Sequence, residues 1–123
     1  PVEGVEVSVS HGATVLADPD LLAVALLNLL DNAARHGARN VHVSAVRQGS
    51  VRMDDDGPGV SLARHQALEG ALQRHEDNGS LGIGLMLADQ VAQAHGGTLH
   101  LPQVLRGFSV ELRLQRQLSS NSA

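Results

Sequence analysis

The feature that most constrains the fold is a long apolar stretch between Asp18 and Gly37. Asp18 followed by Pro19 is typical of a helix start, with Asp18 as the N-cap and Pro19 at the first helical position. The glycine at position 37 predicts that the helix ends at about His36. Because this helix is apolar on almost every side, most of its surface must pack against other elements.

Four polar side chains interrupt the apolar helix, and they share one stripe. Asn28, Asp31, Asn32 and Arg35 follow the spacing i, i+3, i+4, i+7, which places them on one helix face. The stripe either faces water or forms the floor of a binding site. The second interpretation is chemically attractive because amide oxygens suit Mg²⁺ and a guanidinium suits phosphate. The helix alone leaves both interpretations open.

The remaining hydrophobic pattern predicts several short strands and two further helical segments. The strands are expected at residues 5–10, 15–17, 40–47, 51–53, 98–101 and 107–114. A strong helix is expected over 82–95 and a weaker one over 61–75, with a mobile loop at 75–80. Because strands and helices do not alternate regularly, the predicted class is α+β, a two-layer α/β sandwich with a mixed sheet and the helices on one face.

The composition is that of one globular domain and excludes several classes of function. The formal net charge is −4, from 9 basic and 13 acidic residues, so no bulk positive surface is available for nucleic acid. Phe108 is the only aromatic residue, which excludes most stacking platforms for single strands. No apolar run reaches the roughly 18 residues that span a bilayer, so we expect no direct membrane contact. The chain has no cysteine, which excludes a disulfide scaffold.

Three aspartates and a Gly-Pro-Gly turn follow the predicted strand at residues 51–53. Strand alternation places Asp55 on the same face as Val51 and Met53, and its two aspartate neighbours on the other face. A carboxylate directed into an apolar layer needs a partner, and in its ionised form it only accepts hydrogen bonds. Asp55 therefore suits an exocyclic amine such as that of adenine, although a plain acidic turn is the alternative. The spacing does not fit a calcium loop.

The strong second helix opens on a glycine-rich sequence. Residues 79–85 read Gly-Ser-Leu-Gly-Ile-Gly-Leu. Glycines at a helix start expose backbone N–H groups to an anion, and the helix dipole favours that anion. Such starts are common, and this one is not a Walker A loop because no Gly-Lys-Ser/Thr follows. Taken alone it is a weak signal.

The order and spacing of the three motifs are specific. Residues 28–36 read Asn-Leu-Leu-Asp-Asn-Ala-Ala-Arg-His, residues 55–59 read Asp-Asp-Gly-Pro-Gly, and residues 82–85 read Gly-Ile-Gly-Leu. They closely resemble the N, G1 and G2 boxes of the catalytic ATP-binding domain of bacterial two-component sensor histidine kinases. The resemblance extends over about residues 5–114 and implies a Bergerat-type ATP-binding fold, a mixed sheet with about three helices. We therefore expect residues 1–114 to form this domain and 115–123 a polar tail.

The resemblance implies a role for each matching residue. Asn32 would hold Mg²⁺, Asn28 would support it on the same helix face, and Arg35 would contact phosphate oxygens. His36 would lie near the nucleotide, and Asp55 would accept the adenine amine. The other implied nucleotide contacts are the pocket-edge residues Gly57, Gly59 and Val60 and the phosphate-side residues Ser80, Leu81, Gly82, Gly84 and Leu85.

The resemblance also implies a lid over residues 60–81, and here the chain departs from the family pattern. The lid contains no aromatic residue, whereas the family usually carries a phenylalanine-rich box there. Ser80 stands where the third box usually has its first glycine.

The resemblance further implies a protein histidine kinase rather than an ATP hydrolase. Hydrolysing members carry Glu where this chain has Asn28, and Asn cannot act as the general base for water. ATP should then give its γ-phosphoryl group to a histidine on a separate dimerisation and phosphotransfer domain, with a response regulator downstream. None of the seven histidines here has the helical acceptor context, so we expect an excised catalytic module, the cytoplasmic part of a membrane-anchored sensor. An anti-sigma-factor-type serine kinase and a regulatory module that has lost ATP binding are the alternatives.

Overall fold

The computed structural model describes residues 5–10, 15–47, 49–75 and 81–114, which form three helices and five strands. In chain order the elements are β1 (Glu6–Ser10), α1 (Pro19–Arg35), β2 (Asn40–Arg47), β3 (Ser50–Asp55), α2 (Leu62–Arg74), α3 (Gly82–Ala94), β4 (Thr98–His100) and β5 (Phe108–Arg113). Within those ranges, no helix combines the length and the apolar character that a membrane crossing requires. The predicted tail at 115–123 lies outside the described residues.

The five strands form one mixed sheet, which confirms the predicted fold class. Their order is β1-β2-β3-β5-β4, with β1 parallel to β2 and every other pair antiparallel. The face of the sheet that carries Val41, Met53, Val110 and Leu112 joins buried helix residues in one core. The core is almost entirely aliphatic, as expected for a chain with a single aromatic residue.

Helix α1 begins and ends as its sequence predicts. The Asp18 carboxylate caps it by accepting hydrogen bonds from the backbone N–H groups of Asp20 and Leu21, at 2.9 and 3.2 Å. Ala25, Leu29 and Ala33 form its buried stripe. The expectation that most of its surface packs against other elements is wrong, because Leu21, Val24 and Leu27 are exposed. Gly84 on α3 has no side chain and so lets α3 approach α1 closely. A Cβ at this position would lie only 3.1 Å from the Asn28 carbonyl oxygen. Gly84 therefore serves helix packing at the level of the polar stripe.

The strand predicted at residues 15–17 is wrong. Residues 15–18 form no strand, and the Asp18 N–H instead donates to Nε2 of His95 at 3.0 Å. Val15 and Ala17 are partly buried and pack against the core. Their alternating pattern arises because one side of this short segment covers the core, which does not require a neighbouring strand.

The lid expected over residues 60–81 is mostly a packed helix. Residues 62–74 form α2, which the weak helical pattern predicted, and the helix buries Leu68, Ala71 and Leu72 in the core. The Ser61 hydroxyl caps its start by accepting a hydrogen bond from the Arg64 N–H at 3.1 Å. Of the predicted loop at 75–80, only His75 lies within the described residues.

Candidate functional site

A pocket of about 110 Å³ lies where α1, the turn after β3, α2 and the start of α3 meet. The sequence-predicted site residues that line it are Asn32, His36, Asp55, Gly57, Gly59, Val60, Leu81 and Leu85. These residues come from all three motifs, so the fold brings the motifs to one place. The pocket lining also includes residues that the sequence reasoning missed: Ala33, Pro58, Arg64, Leu68 and Phe108.

Asp55 is the last residue of β3, and its carboxyl group lies half-buried on the predicted face of the sheet. Its Oδ1 accepts a hydrogen bond from the Gly57 N–H at 2.8 Å. Burial raises the pKa of the Asp55 carboxyl above its ordinary value, while backbone hydrogen bonds with Gly57 and Phe108 act in the opposite direction. The pocket therefore contains a fixed, partly desolvated acceptor for a hydrogen-bond donor.

The turn that follows Asp55 requires glycine. Gly59 has a φ of +73°, and a Cβ there would lie 2.6 Å from the Gly107 carbonyl oxygen. A Cβ at Gly57 would lie 3.2 Å from Oδ1 of Asp55. These close approaches place the turn against the loop before β5 and shape the pocket beside the carboxylate.

The polar stripe of α1 divides between the pocket and the solvent. Asn32 is half-buried and lines the pocket, and no residue in the described part of the chain hydrogen-bonds its side chain. Arg35 instead pairs with Asp31 at 3.0 Å and is 76% exposed, and it does not line the pocket. Asn28 also lies outside the pocket lining and donates its Nδ2–H to the Val24 carbonyl at 2.8 Å. Only part of the stripe therefore faces the site.

The glycine-rich start of α3 lies at the side of the pocket. Leu81 lines the pocket and precedes the helix without making a side-chain cap, so the backbone N–H groups of the first turn have no capping side chain. Gly82 has a φ of +79° and is exposed, and neither Gly82 nor Gly84 is part of the described pocket lining. Ser80 lies outside the described residues.

Two of the missed residues have side chains suited to a nucleotide. Phe108 begins β5 and lies directly opposite Asp55 in the sheet register, which gives the pocket an aromatic wall beside the carboxylate. Arg64 lies in the first turn of α2 and brings an arginine to the pocket that the motifs did not indicate. The pairing of β3 with β5, which places Phe108 there, is a long-range contact that no local pattern reveals.

Asp56 lies outside the pocket and stabilises the turn beside it. Its Oδ1 accepts hydrogen bonds from the N–H groups of Arg39 and Asn40 at 2.8 and 2.9 Å, and its Oδ2 accepts from Nδ2 of Asn40 at 2.8 Å. These bonds lower the pKa of the Asp56 carboxyl to about 2, the Asn40 side chain having the largest effect. Asp56 therefore ties the turn after β3 to the start of β2.

The Asp56 contacts predict an acid-sensitive contribution to stability. Because its folded pKa is below the unfolded value of about 3.9, the ionised carboxylate stabilises the fold above pH 4 and loses this effect as the pH falls towards 2. In urea unfolding at pH 7, the free energy of unfolding of the wild type should exceed that of Asp56→Asn. The difference between the two should shrink near pH 2. An equal difference at both pH values would contradict this role.

Comparisons with known proteins agree with the motifs. The model of the family described as "Histidine kinase-, DNA gyrase B-, and HSP90-like ATPase" matches residues 17–118. Sensor protein kinase CarS of Pseudomonas aeruginosa is 38% identical over 85% of this chain, and the signal transduction histidine-protein kinase AfsQ2 of Streptomyces coelicolor is 32% identical over 96%. The matched region is 24% of the length of each of these two relatives.

Solved structures show the same fold. The ATP-binding domain of PrrB from Mycobacterium tuberculosis superposes with a TM-score of 0.69 and 31% identity, covering 93% of this chain and 82% of that one. The histidine kinase domain of the E. coli osmosensor EnvZ superposes with a TM-score of 0.64 at 24% identity, covering 90% and 75%. The chain therefore belongs to the histidine kinase-, DNA gyrase B- and HSP90-like ATPase family, and its matches group it with the ATP-binding domains of sensor histidine kinases.

Proposed function

We propose that this chain binds Mg-ATP and donates its γ-phosphoryl group to a histidine on a separate dimerisation and phosphotransfer domain. Membership of the family makes it a kinase-type ATPase domain. The observation that most directly supports the nucleotide as ligand is that Asp55 and Asn32, from two separate motifs, line one pocket. The proposal assigns residues 1–114 to the catalytic module and 115–123 to a polar tail.

The pocket chemistry fits an adenine base. The Asp55 carboxylate would accept a hydrogen bond from the exocyclic amine, and Phe108 and Leu85 supply apolar surface for the ring. Gly57 holds the carboxylate in place through its backbone N–H. The acceptor is therefore already oriented before a ligand arrives.

The residues present also fit a magnesium ion held jointly by protein and nucleotide. Mg²⁺ usually keeps several waters and takes one or two protein oxygens together with phosphate oxygens. The described residues contain no group of three His, Cys, Asp or Glu side chains that could hold a metal by themselves. Asn32 offers a half-buried amide oxygen in the pocket that no described residue engages. A bound Mg²⁺ would supply charge neutralisation for the phosphates.

The chain lacks a base at the position where hydrolysing members carry one. Asn28 takes the place of that Glu, and its Nδ2 is already bound to the Val24 carbonyl. An amide does not accept a proton at neutral pH, so water near this residue would not be activated. On this proposal the module works in the cytoplasm as part of a membrane-anchored sensor, and a response regulator receives the phosphoryl group in turn.

Substitution of Asn32 tests the proposed site. Asn32→Ala should abolish the enhancement of ATP-analogue binding by Mg²⁺ in calorimetry, because the amide oxygen is lost while Ala preserves the helix. Gln90→Ala, which removes an exposed amide from α3, is the matched control and should bind as the wild type does. An unchanged Mg²⁺ effect in Asn32→Ala would contradict the assigned metal ligand. A wild type that binds no analogue with or without Mg²⁺ would contradict the proposed function.

A further inference from the structure

Helix α2 contributes residues to two cavities along its length. Its N-terminal half supplies Arg64 and Leu68 to the candidate nucleotide pocket. Its C-terminal half borders a cleft of about 290 Å³ against β4, lined by Glu69, His75 and His100 among others. A contact that fixes the C-terminal end of this helix can therefore affect the position of the residues that line the pocket.

A histidine–aspartate pair links the end of α2 to α3. His75 is the C-cap residue of α2, with a left-handed φ of 54°, and its Nδ1 lies 3.2 Å from Oδ2 of Asp89. Gln93 donates to the same Oδ2 at 2.9 Å. Asp89 is only 4% exposed, and among the described residues its Oδ1 has no hydrogen-bond partner. A carboxylate buried in this way requires polar partners, and the imidazole of His75 and the amide of Gln93 both lie within hydrogen-bond distance of Oδ2.

Other charged groups lie near this link. On α2, Glu69 is 3.7 Å from Nδ1 of His65, and across the cleft its other oxygen is 3.7 Å from Nδ1 of His100 on β4. Arg113 on β5 lines the cleft but is paired with Glu111 at 3.1 Å, and Arg74 directly precedes His75. The Glu69–His100 contact is a second and longer link between α2 and the sheet.

We propose that His75 and Asp89 are positioning residues for nucleotide binding. Neither is among the described residues that line the pocket. They act through the two helices that they join, because α2 contributes Arg64 and Leu68 to the pocket and α3 contributes Leu85. This inference rests on the proposed function. Because a charged imidazole holds a carboxylate more strongly than a neutral one, we expect a higher nucleotide affinity at pH 6 than at pH 8.

The experiment measures Mg-ATP affinity at pH 6 and pH 8 for the wild type and three variants. His75→Gln should weaken binding about fivefold at pH 6, the low end of typical coupling between sites, and less at pH 8. His75→Lys keeps a positive charge at both pH values. Its affinity should therefore exceed that of His75→Gln by the same factor at pH 6 and at pH 8, and this factor should equal the one by which the wild type exceeds His75→Gln at pH 6. In an Asp89→Asn background, the His75→Gln substitution should have no further effect.

Ratios between variants at one pH cancel the pH dependence that all variants share, including that of ATP itself. His42→Gln, on the outer face of β2 away from the pocket, is the matched control and should leave the affinity unchanged. Equal affinity of the wild type and His75→Gln at pH 6, or equal effects of His75→Gln and His75→Lys, would overturn the positioning role.

A stability measurement separates this inference from the proposed function. A double-mutant cycle of His75→Gln and Asp89→Asn in urea unfolding should show coupling at pH 6 that decreases at pH 8. If the wild type binds no Mg-ATP, the proposed function fails, and this cycle still decides whether the contact joins the helices. Absence of coupling at pH 6 would overturn the link itself.

Discussion

Radiolabelled ATP should leave no acid-labile phosphate on this chain alone, and label should appear when a dimeric helical domain with an acceptor histidine is added. Transfer of this kind is mostly positioning and charge stabilisation, which on the proposed function the pocket and Asn32 would supply. The nucleophile would then come from the other domain. We therefore expect transfer in trans at a rate limited by weak docking, measured by counting label on each component over time.

The structure gives a reason why neither histidine of the α2 region should replace the acceptor. His75 and Glu76 form a His-Glu pair in the sequence, as acceptor histidines often do. However, His75 lies at the end of α2 in a left-handed conformation, with Nδ1 against Asp89. His65 is on α2 but is buried beside Glu69. Neither presents an exposed imidazole on a helix face to a bound nucleotide.

Three outcomes of the transfer experiment separate the candidate functions. Label on the chain alone would contradict an excised catalytic module, and steady release of phosphate would indicate an ATP hydrolase. Stable label on a serine of an added partner would favour the anti-sigma-factor-type kinase. A helical domain whose acceptor histidine is replaced by glutamine is the control and should remain unlabelled.

Asp55→Asn should weaken ATP binding about 10- to 150-fold, which corresponds to the roughly 1.5–3 kcal/mol of a hydrogen bond to a charged acceptor. The stability of the unliganded protein should not fall. Burial raises the pKa of the Asp55 carboxyl in the folded state, so at neutral pH its ionised form opposes folding and a neutral amide removes that cost. Calorimetry and urea unfolding at pH 7 measure the two effects.

Asp54→Asn is the matched control, because it makes the same change one residue earlier on the opposite face of the sheet. The Asp54 carboxylate accepts a hydrogen bond from Nε of Arg52 at 2.9 Å and another from the Ser109 hydroxyl. Its substitution should lower stability and leave ATP affinity near that of the wild type. An affinity of Asp55→Asn within twofold of the wild type would contradict its role as the base acceptor.

Local chemistry explains the elements that the sequence predicted well. The bounds of α1 follow from Asp18, Pro19 and Gly37, all of which act within one turn of the helix end. The orientation of Asp55 follows from strand alternation alone, because a period of two fixes the face of every residue once one neighbour is known to be buried. Such features need no knowledge of which elements meet in space.

The features that the sequence did not predict depend on contacts between distant segments. Phe108 enters the pocket because β5 pairs with β3, although more than fifty residues separate it from Asp55. The hydrogen bonds of Asp56 reach back to Arg39 and Asn40 across the β2–β3 hairpin. The resemblance implies a lid over residues 60–81, whereas α2, whose sequence is only weakly amphipathic, packs its buried leucines in the core.

The position of Phe108 has a spectroscopic consequence. The chain contains no tryptophan or tyrosine, and its single phenylalanine lines the pocket beside Asp55. Protein grown on fluorinated phenylalanine would therefore carry one fluorine resonance, located at the site of interest and assigned without mutagenesis. Because the chain also has little absorbance of its own in the near ultraviolet, changes in the absorbance of an adenine ring on binding could be recorded almost free of protein background.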